Sequence, residues 1–560
     1  MVQASEHAIG SLDRGAVRVG QDAKNGIMVG HRKECRGGHT GGPIPRKSQG
    51  SSSEARTLTR LSRLPLHPLL FAAYAVLFLY AQNLAEVLLV DVGAPLGRAL
   101  LGAAVVLGVA TLIYRDVERA AIVASALVVA FFAYGHVAGL LGAGTTDRIQ
   151  LAFWAVLVII AAIHAARARS VAGLTRGLNL VAVVLVVLVS ITIIPYELNR
   201  AGRSPVSLAG PVTAASGTTS APDIYYLVFD RYGSADAIER RFGITDNDLY
   251  DWLAERGFQV PADSRGSYRA TDFSLAAVMN MRYLDNLAEE IGPNSDDRTP
   301  AHEMLANHEV GRFLQAQGYR YYHIGAWFEA TASIPFADEN LSFDTTSEFE
   351  NVLRDTTIMP AIERVLDIET PETTFRDRHR EGTLFAFRQM HRLATAPGPK
   401  FVFAHVLLPH DPYVFRSDGS VFAEEDAKRG EEKDLYRDHL AFANASIKSI
   451  VDDLLSGPDD QDPIVIVQAD EGPLFCRSVD CPEDSVEYAA VRYGVLNALY
   501  LPGFDGRLPA TFSTVNTFRT ILREYFGADL PDLPVHSYNW PDNDHIYDFH
   551  DMNEYLEQRE

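Results

Sequence analysis

At 560 residues the chain is too long for one ordinary domain, and its near-zero mean hydropathy averages two unlike halves. Its formal net charge of −22 falls mostly on the C-terminal half, which argues against nucleic acid or anionic lipid as a partner held by bulk charge. No Cys/His spacing of the zinc type is present.

The first 62 residues, rich in Gly, Ser, Arg and Lys and without apolar periodicity, are expected to be a disordered cytoplasmic segment. No apolar stretch with a small-residue cleavage site stands near Met1, so no signal peptide is expected. Five apolar runs follow, at 68–90, 96–114, 120–141, 149–166 and 178–195, each close to the roughly 20 residues with which a helix crosses a bilayer. The basic residues set their direction. Eight precede the first run between Arg32 and Arg63, Arg115 and Arg119 follow the second, and Arg167, Arg169 and Arg176 follow the fourth. The alternate connections carry only Arg98 and Arg148, which places the N-terminus in the cytoplasm and everything after Pro195 outside. Glu86, His136 and His164 are polar groups at or near membrane depth: candidates for function, or residues facing headgroups at the span ends. Residues 63–200 are therefore expected to form a five-helix transmembrane domain, 201–221 a linker of Gly, Ser, Thr, Ala and Pro, and 222–560 an extracytoplasmic domain.

In that last part short β-rich runs alternate with helical ones, Val310 to Gln317 before Tyr319 to Ile324 and His439 to Leu455 before Ile464 to Val467. This alternation predicts an α/β domain with a mainly parallel central sheet. Two strands, Ile224 to Phe229 and Ile464 to Val467, are uninterrupted apolar runs of the kind buried on both faces. The first delivers Asp230, the second Asp470 and Glu471, at the strand ends where α/β proteins bind ligands. If the strands are neighbours, three carboxylates converge and repel one another unless a cation sits between them. Turn formation or helix capping is the alternative for either strand end alone.

Between these strands, Ser267 to Met281 runs from small hydroxyl residues into an apolar helical pattern. Thr271 there is either a helix cap or, facing a metal, an activated nucleophile at a phosphate-binding helix start. Phe401 to Tyr413 is a further strand running into a turn, and His410, between two prolines, is a candidate to bind substrate oxygen or protonate a leaving group; His405 within the strand is read as structural. Cys476 and Cys481 are close enough in sequence to pair in an oxidising compartment, with two free thiols as the alternative.

The strand ending in Asp230, the Thr-x-x-Ser of Thr271 to Ser274, the Pro-His-x-Pro-Tyr around His410 and the Asp-Glu-Gly at Asp470 together resemble the alkaline phosphatase superfamily. They are similar to its membrane-bound, sulfatase-like branch of lipoteichoic acid synthases and phosphoethanolamine transferases, with five transmembrane helices before an extracytoplasmic catalytic domain. The resemblance implies one divalent metal held by Asp230, Thr271 and Asp470, with Glu471 where the family usually has His. That substitution makes the set all oxygen and favours Mn²⁺ or Mg²⁺ over Zn²⁺. It also implies a headgroup pocket lined by His323, Trp327 and His410; Ser274, one helical turn beyond Thr271, is a candidate second hydrogen-bond donor to the substrate. No Cys/Ser-x-Pro-x-Arg sequence for formylglycine is present, which disfavours sulfate-ester hydrolysis. The implied activity is transfer of a phospho-headgroup from a membrane lipid to an envelope glycan or lipid through a phospho-threonine. The alternatives are an extracytoplasmic phosphodiesterase, phosphatase or sulfatase-like hydrolase, and a non-catalytic membrane scaffold.

Overall fold

The computed structural model describes residues 64–141, 146–203, 222–344, 346–368, 374–457, 462–476 and 481–558. The expected N-terminal segment and most of the expected linker lie outside these residues.

Among the described residues four helices are long and apolar enough to cross a membrane: α2 (Leu89–Tyr114), α3 (Val117–Leu141), α4 (Asp147–Arg167) and α5 (Ala172–Ala201). They leave large apolar side chains such as Leu112, Ile113, Leu188 and Ile191 exposed, a distribution that suits a lipid solvent. The first apolar run differs from expectation. It forms a shorter helix, α1 (His67–Ala81), of 15 residues. Asn83 donates its side-chain amide back to the Leu79 carbonyl at 2.7 Å, and the chain turns before α2 begins. At about 1.5 Å per residue α1 falls short of a ~30 Å hydrocarbon layer. It packs against α2, α3 and α5.

The α/β half is built on one six-stranded sheet. Its strands are β1 (Ile224–Phe229), β2 (Arg320–Ile324), β3 (Glu339–Leu341), β4 (Lys400–Val406), β5 (Ile464–Gln468) and β6 (Asn497–Tyr500), in the order β3-β2-β4-β1-β5-β6. All neighbours are parallel except the β5–β6 pair. Every residue of β1, β4 and β5 is buried, because helices cover both faces. Tyr226, Val228, Phe403 and Ile466 pack on one side with α6 (Thr271–Met279) and with Phe518, while Tyr225, Leu227, Val402 and Val467 pack on the other. That second face is covered by α9 (Phe375–Ala394) and α10 (Glu432–Leu454). Each such side chain contributes about 1.5–3 kcal/mol by burial, so the central strands are fixed and their C-terminal ends become a rigid rim.

Candidate metal centre

Three neighbouring strands, β4, β1 and β5, deliver the site. Asp230 follows β1, Asp470 follows β5, and His405 stands opposite Val228 one residue before the end of β4. One ligand atom of each lies within 4.8 Å of the others, and all three side chains are buried. Asp230 Oδ1, both Asp470 carboxylate oxygens and His405 Nε2 have no well-formed hydrogen bond. Buried polar atoms left so in a native protein call for an ion or a bound group, and two carboxylates with an imidazole are a donor set for a divalent cation. Burial, then Asp470, raises Asp230 well above the usual carboxylate range; burial and then Glu471 raise Asp470 to about 7. Positive charge placed between them would reverse both shifts.

His405, read as structural from the sequence, belongs to this group. Its Nδ1 is 2.7 Å from the Thr331 hydroxyl, which orients the ring with Nε2 turned to the carboxylates. Burial pushes its pKa down to about 3, so it is a neutral imidazole suited to ligation. The signal was a polar side chain inside a strand that is otherwise apolar after Lys400 at its start and is buried along its whole length.

Glu471 does not join the group. Its Oε1 accepts from Arg231 Nε at 3.1 Å and its Oε2 from Arg492 Nη2 at 2.6 Å. Adjacent strand-end residues point to opposite sides, so Asp470 faces the metal-type cluster and Glu471 faces the two guanidiniums. Arg231 also binds Asp411 at 2.8 Å and sits at φ 60°, a left-handed conformation that a non-glycine residue holds at a cost of about 1–3 kcal/mol.

Thr271 is the first residue of α6. The capping position belongs to Ala270, which makes no side-chain cap, so the threonine is not the cap. Its hydroxyl faces Asp470 and lowers that carboxyl's pKa against the larger effect of burial, without closing a well-aligned bond. Ser274, a candidate substrate donor from the sequence, is buried and donates to the Tyr268 carbonyl at 2.9 Å; its hydroxyl is used by the main chain. His323 is also behind the site. It is fully buried on β2, bonds the Thr331 carbonyl through Nε2 at 2.8 Å and supports the residue that orients His405.

His410 and Trp327 do reach the site. His410 Nε2 is 3.9 Å from Asp230 Oδ2, and its Nδ1 bonds the Asp411 carbonyl. Burial and then Arg231 push its pKa down to about 3, so the ring is neutral, with Nε2 free to accept a proton. Trp327 packs edge-on to His410, donates to His379 Nδ1 at 3.0 Å, and walls a cleft of about 560 Å³, partly open to solvent, that also contacts Asn351, Arg378 and His405.

The site is tied to the helical bundle. Asp272, next to Thr271, is bound by Arg298 at 3.0 Å and His302 at 3.2 Å, which hold its carboxyl well below the usual range despite burial. The Arg298 main-chain N–H donates to the Ala85 carbonyl between α1 and α2, and Asp297 binds Arg200 and Arg203 at the end of α5. Cys476 and Cys481, left open by the sequence, form a disulfide.

Residues 239–484 match the sulfatase family model, a span that includes Thr271, His405, His410 and Asp470 and begins after Asp230. No curated protein matches the chain. Among solved structures the chain is similar to the C-terminal periplasmic domain of EcEptC from Escherichia coli in complex with Zn, at 12% identity over 62% of this chain and 97% of that one, TM-score 0.40. It is also similar to a protein in the alkaline phosphatase superfamily from Vibrio parahaemolyticus, at 11% identity over 59% and 76%, TM-score 0.38. A third is the phosphonate monoester hydrolase of Agrobacterium radiobacter, at 12% identity over 55% and 74%, TM-score 0.35. The chain is thus similar to sulfatase-family domains over residues 239–484, fewer than half of its 560 residues.

Proposed function

We propose that this enzyme moves a phospho-headgroup from a membrane lipid to a cell-envelope glycan or lipid, with Thr271 as nucleophile. The carrying observation is the Thr271 hydroxyl, which caps nothing and faces Asp470 beside the buried Asp230–His405–Asp470 group. Sulfatase-family domains bind a divalent metal. Asp230, Asp470, His405 and Thr271 would hold it here, and when bound it acidifies the hydroxyl and screens charge on the phosphoryl oxygens. A nitrogen among oxygen ligands suits Zn²⁺ or Mn²⁺ better than Mg²⁺, which revises the all-oxygen expectation that rested on Glu471. The scaffold alternative rested on the same residue and loses its support.

The Thr271 oxygen bonds to phosphorus as the bond from phosphorus to the glycerol oxygen breaks. The hydroxyl proton passes to His410 Nε2 and then to the departing oxygen, so diacylglycerol leaves. An acceptor hydroxyl reverses the sequence and frees Thr271. Trp327 and His379 would line the headgroup side. The link from Asp272 through Arg298 to Ala85 supports a lipid donor, since it holds α6 against the bundle.

For topology we propose five crossings, α1 being the short one, with the N-terminus inside and the α/β half outside. Ala85, Asp147 and Arg200 contact that half, while Arg115, Arg119 and Arg167 lie at the other helix ends. The sulfatase-family match supports a second reading, hydrolysis, in which water replaces the acceptor.

Intact-mass measurement of the full chain with Mn²⁺ or Zn²⁺ and candidate phospholipids tests the mechanism. Wild type should gain the headgroup mass on Thr271. Thr271→Ala should gain none and lose turnover at an unchanged melting temperature, and Thr271→Ser should keep part of it. Robust turnover in Thr271→Ala would end the proposal; turnover independent of acceptor would select the hydrolase.

A further inference from the structure

Between β3 and α9 the chain leaves the α/β core and enters the bundle. It first forms α7 (Glu348–Asp355), whose Phe349 is buried with Val76, Tyr80, Val92 and Ile193 of the apolar helices. Then comes α8 (Met359–Leu366), which packs along α4, with Ala361 fully buried among Ala130, Tyr134 and Trp154. Arg364 pairs with Asp147 at 2.7 Å, which marks the end of α4 nearest the α/β half. Trp154 lies two turns further along that helix, about 10 Å at 1.5 Å per residue.

Non-helical backbone tolerates such a depth only if its polar groups are paired, since hydrocarbon offers no partners. Here they are. The Gly135 N–H in α3 donates to the Thr356 carbonyl at 2.9 Å, and the Ile358 N–H donates to the Phe131 carbonyl at 2.9 Å. A Cβ on Gly135 would stand 2.7–2.9 Å from Thr356 main-chain atoms, so the close approach requires glycine. The charges of α8 are also paired, Arg364 with Asp147 and Glu363 with Arg354. What remains, besides the exposed Asp367 at the helix end, is an apolar stripe at i, i+3 and i+7, Met359, Ile362 and Leu366, continued by Ile368. Met359, Leu366 and Ile368 are 38%, 62% and 44% exposed.

We infer that residues 356–368 are a re-entrant membrane element of the catalytic half, with α8 lying in the outer leaflet against α3 and α4 and its Met359–Ile362–Leu366 stripe on lipid acyl chains. The inference rests on the membrane reading of the bundle and goes beyond it. The preceding helix contributes Asn351 to the cleft that contacts His405, so the element seats one wall of the substrate cleft at the bilayer.

The test uses the full chain in phosphatidylcholine vesicles, in a Cys35→Ser background that leaves single introduced cysteines for an environment-sensitive fluorophore. Leu366→Cys and Met359→Cys report on the stripe. Val187→Cys reports on the exposed side of α5, and Ser456→Cys on the exposed turn preceding β5, at the sheet end remote from the metal-type cluster. An interfacial apolar face sits about 5–10 Å into the headgroup–acyl boundary, so both stripe positions should show blue-shifted emission quenched by lipids with a nitroxide high on the acyl chain. Ser456→Cys should show neither. Water-like emission at both stripe positions with a lipid-like Val187→Cys overturns the element and leaves the bundle reading standing. Water-like emission at all four overturns both.

Discussion

Two ionic pairings decide the role of Glu471. With Arg231 on one carboxylate oxygen and Arg492 on the other, this side chain is a counter-charge beside the site. Removing it would leave two guanidiniums poorly compensated in a buried setting, at a cost of about 3–5 kcal/mol. Glu471→Gln should therefore lower the melting temperature while keeping bound metal at the wild-type ratio. Asp470→Asn and His405→Ala remove atoms that the cluster itself presents, so they should lose metal with less change in stability. Metal analysis of the purified variants alongside thermal unfolding checks this. Metal lost in Glu471→Gln and kept in His405→Ala would restore the ligand set inferred from the sequence.

Helices carry the next level of organisation, and two glycines show what packing adds to propensity. Gly108 in α2 has nothing within 4 Å of where a Cβ would stand, whereas Gly135 in α3 has the Thr356 main chain there. Alanine is intrinsically favoured over glycine inside a helix by about 1 kcal/mol. Gly108→Ala should thus raise the unfolding midpoint in detergent or leave it unchanged. Gly135→Ala should lower stability by about 1–3 kcal/mol, the range for overpacking, because main-chain atoms cannot rotate aside. A stabilising Gly135→Ala would mean that the contact with Thr356 does not persist. α6 illustrates the same limit from the other side: a threonine before an apolar run reads equally as cap or nucleophile, and only the position of Ala270 at the cap separates the two.

For the whole molecule, alternating contacts at the helix ends and the arginine distribution support one orientation. A reporter fused after Glu560 should be active only outside the cytoplasm, and one fused before Leu64 only inside. Opposite labelling of either end would remove the lipid-facing mechanism with the topology. The sequence by itself determined the apolar runs, the mainly parallel sheet, and the placing of Asp230, Asp470 and Thr271 at element ends, because these follow from patterns within a few neighbouring residues. The tertiary structure alone decided that α1 is short, that His405 joins the cluster while Glu471 turns to Arg231 and Arg492, and that Ser274 and His323 are buried behind it. Each of those outcomes depends on groups that meet only across strands or between distant segments, such as Thr331 beside His405 and Arg492 beside Glu471, and no local pattern encodes which partner arrives.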